Sequence, residues 1–226
     1  MMKKYNITSF HPLYYIFLLV LISPIYSMLN QSTAGAVDVT IGLDAHIPFL
    51  KEWVVPYLLW YPFIYGMLIY LCFAERKLYY EALSSILIGK MISFIIYFFW
   101  QSTVPRPEVV GNDFFAHVMR FVYSADQPVN CLPSIHVLTT FVIMMVVFQC
   151  KKQHKLMYSI VTIFGSLIIL STLFTKQHAI LDATAGMLLA FFVLTGVQLV
   201  TSKIHLFNFN SLKAKSAKKL KAVKDE

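Results

Sequence analysis

The sequence predicts an all-α, polytopic membrane protein with six transmembrane helices, and three observations predict it. Of its 226 residues, 58% are hydrophobic and 13% charged, where a soluble domain carries roughly a quarter charged residues. Apolar runs of about 17–25 residues, the length that crosses a ~30 Å hydrocarbon core as a helix, recur along the chain. Basic residues collect on one side of those runs: Lys3, Lys4, Arg76, Lys77, Lys151, Lys152, Lys155 and the lysines after 202 make up fourteen of the nineteen Lys/Arg.

The spans are expected near 11–28, 54–73, 80–101, 136–150, 156–175 and 181–202. The first resembles a secretory signal in outline, with Lys3-Lys4, an apolar run and Ala34-Gly35-Ala36. Its run exceeds a signal core, so an uncleaved span is expected. Trp53, Trp60, Trp100, Tyr57, Tyr61, Tyr65, Tyr79 and Tyr80 mark span ends, as interfacial aromatic belts do. Lys90 lies inside the third span, about three turns from its end. The fourth span is short and is expected to extend through Leu132. Gly165, Gly186 and Gly196, with Ser159, Ser166, Thr184 and Thr195, predict close packing of the last two spans on each other.

An even number of crossings puts both termini on one side, and the basic bias makes that side cytoplasmic. Two long loops, 29–52 and 102–135, then face outward. A membrane domain is expected over 1–205, with a basic cytoplasmic tail at 206–226. Lys213, Lys215, Lys218, Lys219, Lys221 and Lys224 would be drawn to anionic lipid headgroups by about 1 kcal/mol each. Those charges account for much of the net +8, and no nucleic-acid signature accompanies them. Cys72, Cys131 and Cys150 make no disulfide framework and no zinc spacing.

The chemistry-bearing residues lie on the outward side. His178 and Asp182 are four apart, on one face of a helix that begins near 178. A carboxylate on one imidazole nitrogen frees the other as a nucleophile; a structural ion pair has the same spacing. His136 follows Ser134 at the start of the fourth span. Ser134 suits an N-cap, the helix terminus an anion, and His136 proton donation to a leaving oxygen. A cap beside an interfacial histidine is the plain alternative. Arg106, between Pro105 and Pro107, can clamp a phosphate or reach to headgroups. Lys176 adds charge two residues before His178. Asp126 and Asn130 suit a headgroup hydroxyl or a turn. Asp113, His117 and Arg120 share a possible helical face; Asp44 and His46 suit an interfacial structural role, and His154 and His205 fall on the cytoplasmic side.

Arg106-Pro107, Pro133-Ser134-Ile135-His136 and the stretch from Ser171 to His178 and Asp182 resemble the three motifs of the type-2 phosphatidic acid phosphatase superfamily, which is related to vanadium haloperoxidases. The family patterns are Lys-x6-Arg-Pro, Pro-Ser-Gly-His and Ser-Arg-x5-His-x3-Asp. Here Phe99 stands for the lysine, Ile135 for the glycine and Thr172 for the arginine. That makes the chain more similar to the divergent branch with inositol phosphorylceramide synthases. The resemblance implies a lipid phosphatase that works without metal or cofactor, with His178 as nucleophile, Asp182 orienting it and His136 as acid. Arg106, Lys176 and Ser134 would bind the phosphate of a membrane-embedded lipid substrate. Headgroup transfer to an alcohol is the alternative activity, and a transporter with Lys90 lining its pathway the non-enzymatic one. The expected location is the cell membrane. Substrate identity and oligomeric state are not read from the sequence.

Overall fold

A computed structural model describes residues 11–31, 35–151 and 155–224, with side chains to Lys203. Lys3, Lys4, Ala34, Lys152, His154 and the side chains of His205 and the tail lysines lie outside the described part. The fold is all-α, with one minimal strand pair. A 3₁₀ turn, His11–Ile16, leads into α1 (Phe17–Leu21) and α2 (Ser23–Leu29). After β1 (Val37–Asp38) and short 3₁₀ turns come α3 (Val54–Leu58), α4 (Trp60–Ala74) and α5 (Arg76–Phe99). β2 (Ser102–Thr103), α6 (Phe114–Ala125), α7 (Ile135–Gln149), α8 (Lys155–Phe174) and α9 (Ile180–Lys224) complete the chain.

Five segments are long and apolar enough to cross a bilayer: Pro12–Leu29, Lys51–Ala74, Arg76–Phe99, Lys155–Phe174 and Ile180–Lys203. α7, the fourth expected span, has 15 residues, or about 22 Å of helix. It does not extend through Leu132: the helix begins at Ile135, because Ser134 caps it with its hydroxyl oxygen on the Val137 N–H (3.3 Å). α9 stays helical to Lys224, so the boundary expected at 205 falls inside a helix.

α7 is the centre of the bundle, with α4, α5, α8 and α9 packed around it. Its apolar side chains point all round, as a helix buried on every side requires. The small residues of the last two spans therefore serve a different contact from the one expected. Gly186 of α9 packs against the backbone of Ser134 and Leu138 on α7, and Gly165 of α8 against Met144 of α7. Nothing lies within 4 Å of a Cβ built on Gly196.

Two anchors set the height of α7 against α5. At one end the Tyr97 hydroxyl donates to the Pro133 carbonyl. At the other, buried Glu81 accepts from Gln198 Nε2 (3.2 Å) and Thr201 Oγ1 (3.2 Å), and Gln198 also donates to Gln149 Oε1 (2.7 Å). Lys77 pairs with the same carboxylate at 3.3 Å, so this intrahelical acid is partnered as the low-dielectric interior demands. The N-terminal end of α7 is thus recessed below the end of α5. Over that recess the two long loops join: β1 pairs with β2 in parallel, Val37 with Ser102 and Asp38 with Thr103.

Candidate active site

The turn between α8 and α9 presents His178. Lys176 takes a left-handed conformation (φ 51°) that ends α8, and the N–H groups of Gln177 and His178 both donate to the Thr172 carbonyl (3.0 Å each). This is how a helix C-terminus satisfies its last carbonyls. α9 then starts at Ile180, and Asp182 in its first turn reaches back. Its Oδ2 accepts from the Ala179 N–H (2.8 Å) and lies 3.1 Å from His178 Nδ1. One carboxylate oxygen caps the helix and orients the imidazole. His178 Nε2 has no protein partner among the described residues.

His136, one residue into α7, comes to 5.7 Å from His178, ring centre to ring centre. It is wedged between Tyr57 (4.8 Å) and Trp60 (4.4 Å), and Trp60 is fixed by a hydrogen bond from its indole N–H to Thr139 Oγ1 (2.8 Å). No protein group hydrogen-bonds either ring nitrogen of His136 among the described residues. The two histidine-bearing helices are locked together by the Ser134 N–H, which donates to the Asp182 carbonyl (3.1 Å). The close approach at Gly186 permits that contact.

His178 lies between two cavities. On the loop side a cavity of about 430 Å³ has Arg106, Lys176, Asp44 and Phe49 in its wall. On the bundle side a cavity of about 390 Å³ runs between helices, with His136, Lys90, Asp126 and Asn130 among aromatic side chains. Arg106 stacks on Tyr123 (4.6 Å) and donates to Gln177 Oε1 (2.6 Å) and to the carbonyls of Tyr123, Asp126 and Gln127. It ties the loop after α6 to the His178 turn; its Nε–H is buried without a partner among the described residues. Lys176 Nζ donates to the Asp44 carbonyl (2.9 Å).

Electrostatics around the site follow from burial. The Asp126 carboxyl is pushed up by desolvation, against the Tyr26 hydroxyl that donates to it (2.7 Å) and the Arg106 guanidinium. Burial likewise raises the Cys131 thiol, and Asp182 adds to the effect. The Tyr123 phenol is pushed up to about 12 by burial, with Arg106 opposing. Cys131, His178 and Asp182 each offer a possible metal-ligating atom within 4.8 Å of the others. A ligating cysteine must be a thiolate, which this burial disfavours, and Asp182 Oδ2 is already engaged. His178 and Asp182 fit a hydrogen-bonded pair better than a metal site.

Of the residues singled out from the sequence, His136, His178, Asp182, Arg106 and Lys176 are brought together. Ser134 is not brought to either cavity: it is fully buried, its hydroxyl caps α7 and its N–H holds Asp182. Asp126 and Asn130 line the bundle-side cavity. Asp113 caps α6 through the Ala116 N–H (3.1 Å) and pairs with Lys51, while Arg120 donates to the carbonyls of Val109 (3.0 Å) and Gly111 (2.9 Å). These two brace the loop away from the histidines. Two residues with other expected places belong here. Buried Asp44 accepts from the Ile180 N–H (2.9 Å) and occupies the first free donor of α9. Lys90 shares the cavity of the histidines. Nothing in the spacing of Asp44 pointed to the site; for Lys90 the signal was a cation inside an apolar span.

No curated protein and no solved structure gives a significant match. The family model of the PAP2 superfamily does match, over residues 41–195, a stretch that holds both histidines, Asp182, Arg106, Lys176, Asp44 and Lys90. By that match, the chain belongs to the PAP2 superfamily.

Proposed function

We propose that this protein is an integral membrane lipid phosphatase that hydrolyses a phosphomonoester or diphosphate through a phosphohistidine on His178. Membership of a superfamily of phosphatases and related enzymes supports phosphate-ester chemistry. The observation that carries the rest is the position of His178. Its Nδ1 lies on Asp182 (3.1 Å), and it stands where the cavity with Arg106 and Lys176 meets the cavity with His136.

The Asp182 carboxylate holds the proton on Nδ1 and leaves the lone pair on Nε2. Nε2 attacks phosphorus, the bond from phosphorus to the leaving oxygen breaks, and His136 gives that oxygen its proton. Water then attacks the phosphohistidine and gives a proton to His136. The P–N bond breaks and inorganic phosphate leaves with His178 restored. Lys176 and the Arg106 Nε–H supply positive charge to the phosphoryl oxygens. The Ser134 N–H and the first N–H of α9 have protein acceptors, which supports giving that task to the side chains.

α7 is taken as the sixth crossing, short because its N-terminal end is recessed beneath the loops. The basic bias supports cytoplasmic termini and an outward site, and the cell membrane is the proposed location. The lysine-rich end of α9 would meet anionic headgroups there.

The test is phosphate release from a panel of lipid phosphates by purified protein in detergent, with EDTA, beside His178→Ala. Release is expected from wild type, unchanged by EDTA, and reduced on the order of 10³-fold or more in the variant. Equal release by the variant overturns the role of His178. No release from any lipid, with headgroup transfer to an added alcohol, moves the reading to a phosphotransferase.

A further inference from the structure

We propose that Lys90 binds a second anionic group of the substrate, which makes the substrate class a lipid diphosphate and the leaving group a lipid monophosphate. The inference rests on the phosphatase reading and adds to it the identity of what leaves.

Lys90 is a cation inside the apolar helix α5, where a charge persists only beside a partner or a polar cavity. Among the described residues it has no hydrogen bond and no ion pair; its Nζ stands 5.9 Å from the centre of the Phe94 ring, one turn toward the site. The register explains where that leads. Tyr97 is bonded to Pro133, so Phe94 is near the level of His136 and Lys90 one turn, roughly 6 Å, below. The side chain climbs past Phe94 into the bundle-side cavity that His136 and His178 also line.

That cavity holds other unmet polar groups. Asn130 is 2% exposed and left-handed (φ 61°), and among the described residues both polar atoms of its amide lack partners. The ring nitrogens of His136 lack them as well. An ammonium, an amide and an imidazole left open in an aromatic-walled cavity call for a polar, negatively charged guest. Asp126 on the same wall does not supply it. Its carboxyl takes the Tyr26 hydroxyl (2.7 Å), and burial favours its neutral form.

The charges then divide between the two cavities that meet at His178. Arg106 and Lys176 flank His178 on the loop side, and His136 and Lys90 follow on the bundle side. A phosphoryl group attacked by His178 has its non-bridging oxygens toward the first pair and its leaving oxygen toward the second. A glyceride leaving group, with no anionic group beyond the departing oxygen, would need only the proton of His136. A leaving group that is itself a phosphate brings negative charge to where Lys90 waits. In that reaction the bond between the terminal phosphorus and the bridging oxygen breaks, and the bridging oxygen keeps the electron pair. It takes the His136 proton and departs as lipid monophosphate. Water then releases inorganic phosphate from His178.

The experiment compares wild type with Lys90→Met, which keeps length and suits an apolar helix, on a single-chain isoprenoid diphosphate and its monophosphate in detergent. For the diphosphate, kcat/KM should fall about tenfold or more, with the monophosphate within about twofold and Lys90→Arg partly restored. An equal fall on both lipids would overturn the proposal, since Lys90 would then serve the transferred phosphoryl group. No change on either would overturn it as well. Binding to full-length His178→Ala gives a second readout that does not need turnover. The diphosphate should bind more tightly than the monophosphate, and adding Lys90→Met should erase the difference. If wild type releases no phosphate yet this preference and its loss are seen, the phosphatase reading fails and the Lys90 assignment stands. Equal affinity for the two lipids would sink the assignment.

Discussion

The carboxyl of Asp126 is held where ionisation is disfavoured: burial dominates, and Tyr26 and Arg106 offset it in part. Its folded pKa is therefore above the unfolded value of about 3.9. Below that value both states are protonated and the contribution to stability is fully present. As pH rises from there through the raised folded value, the unfolded chain releases a proton the folded one keeps, and stability is lost. Asp126→Asn keeps an acceptor for Tyr26 without the titration. The melting temperature of wild type should fall relative to this variant as pH goes from about 4 toward 7; a constant gap would show that Asp126 does not titrate as argued. The same residue scale shows what a sequence can and cannot announce. The His178 and Asp182 pairing was legible because a spacing of four puts two residues on one helix face, and turns are local; His136 and Arg106 were singled out by the motifs they belong to, not by spacing. Ser134 was legible as a cap, yet the groups that would have met a phosphate have Val137 and Asp182 as partners. Lys90 lies about three turns down its own helix, a distance that is blind to the recess of α7.

Helix contacts follow from what a Cβ would meet. At Gly186 it would stand 2.7 Å from the Ser134 carbonyl oxygen, an atom already bonded to the Leu138 N–H (2.9 Å) and unable to yield. At Gly165 it would stand 2.6 Å from Met144 Sδ, the middle of a flexible side chain that can swing aside. Gly186→Ala should cost about 1–3 kcal/mol and Gly165→Ala less than about 1 kcal/mol, by thermal unfolding in detergent. Because Gly186 sets the approach of α9 to α7, its variant should also lose phosphate release out of proportion to stability. Similar behaviour of the two would mean that α9 can slide on α7 freely. Small residues marked these helix faces in the sequence. They did not mark the partner, because a glycine permits any close neighbour, and both faces turned out to meet α7.

Across the whole molecule, the loops that carry Arg106 gather at the end of the bundle opposite Glu81, and the proposed orientation puts that end outside. Cys72, Cys131 and Cys150 are all buried, so an introduced thiol can be read against a low background. Val110→Cys, at a position 76% exposed in the loop that carries Arg106, should react with a membrane-impermeant maleimide on intact cells. Lys151→Cys, exposed at the other end, should react only after permeabilisation; the reverse pattern would invert the orientation. The span pattern was legible because hydropathy and charge act residue by residue along the chain. The cavities were not, since each is a gap between elements distant in sequence. One of them has an unintended use. Trp60 lies 4.4 Å from His136 with its indole held on Thr139, and an indole loses emission beside an imidazolium. The protein therefore carries its own fluorophore against the residue assigned as proton donor, and with Trp53 and Trp100 replaced, its brightness would follow that proton in real time, without a label.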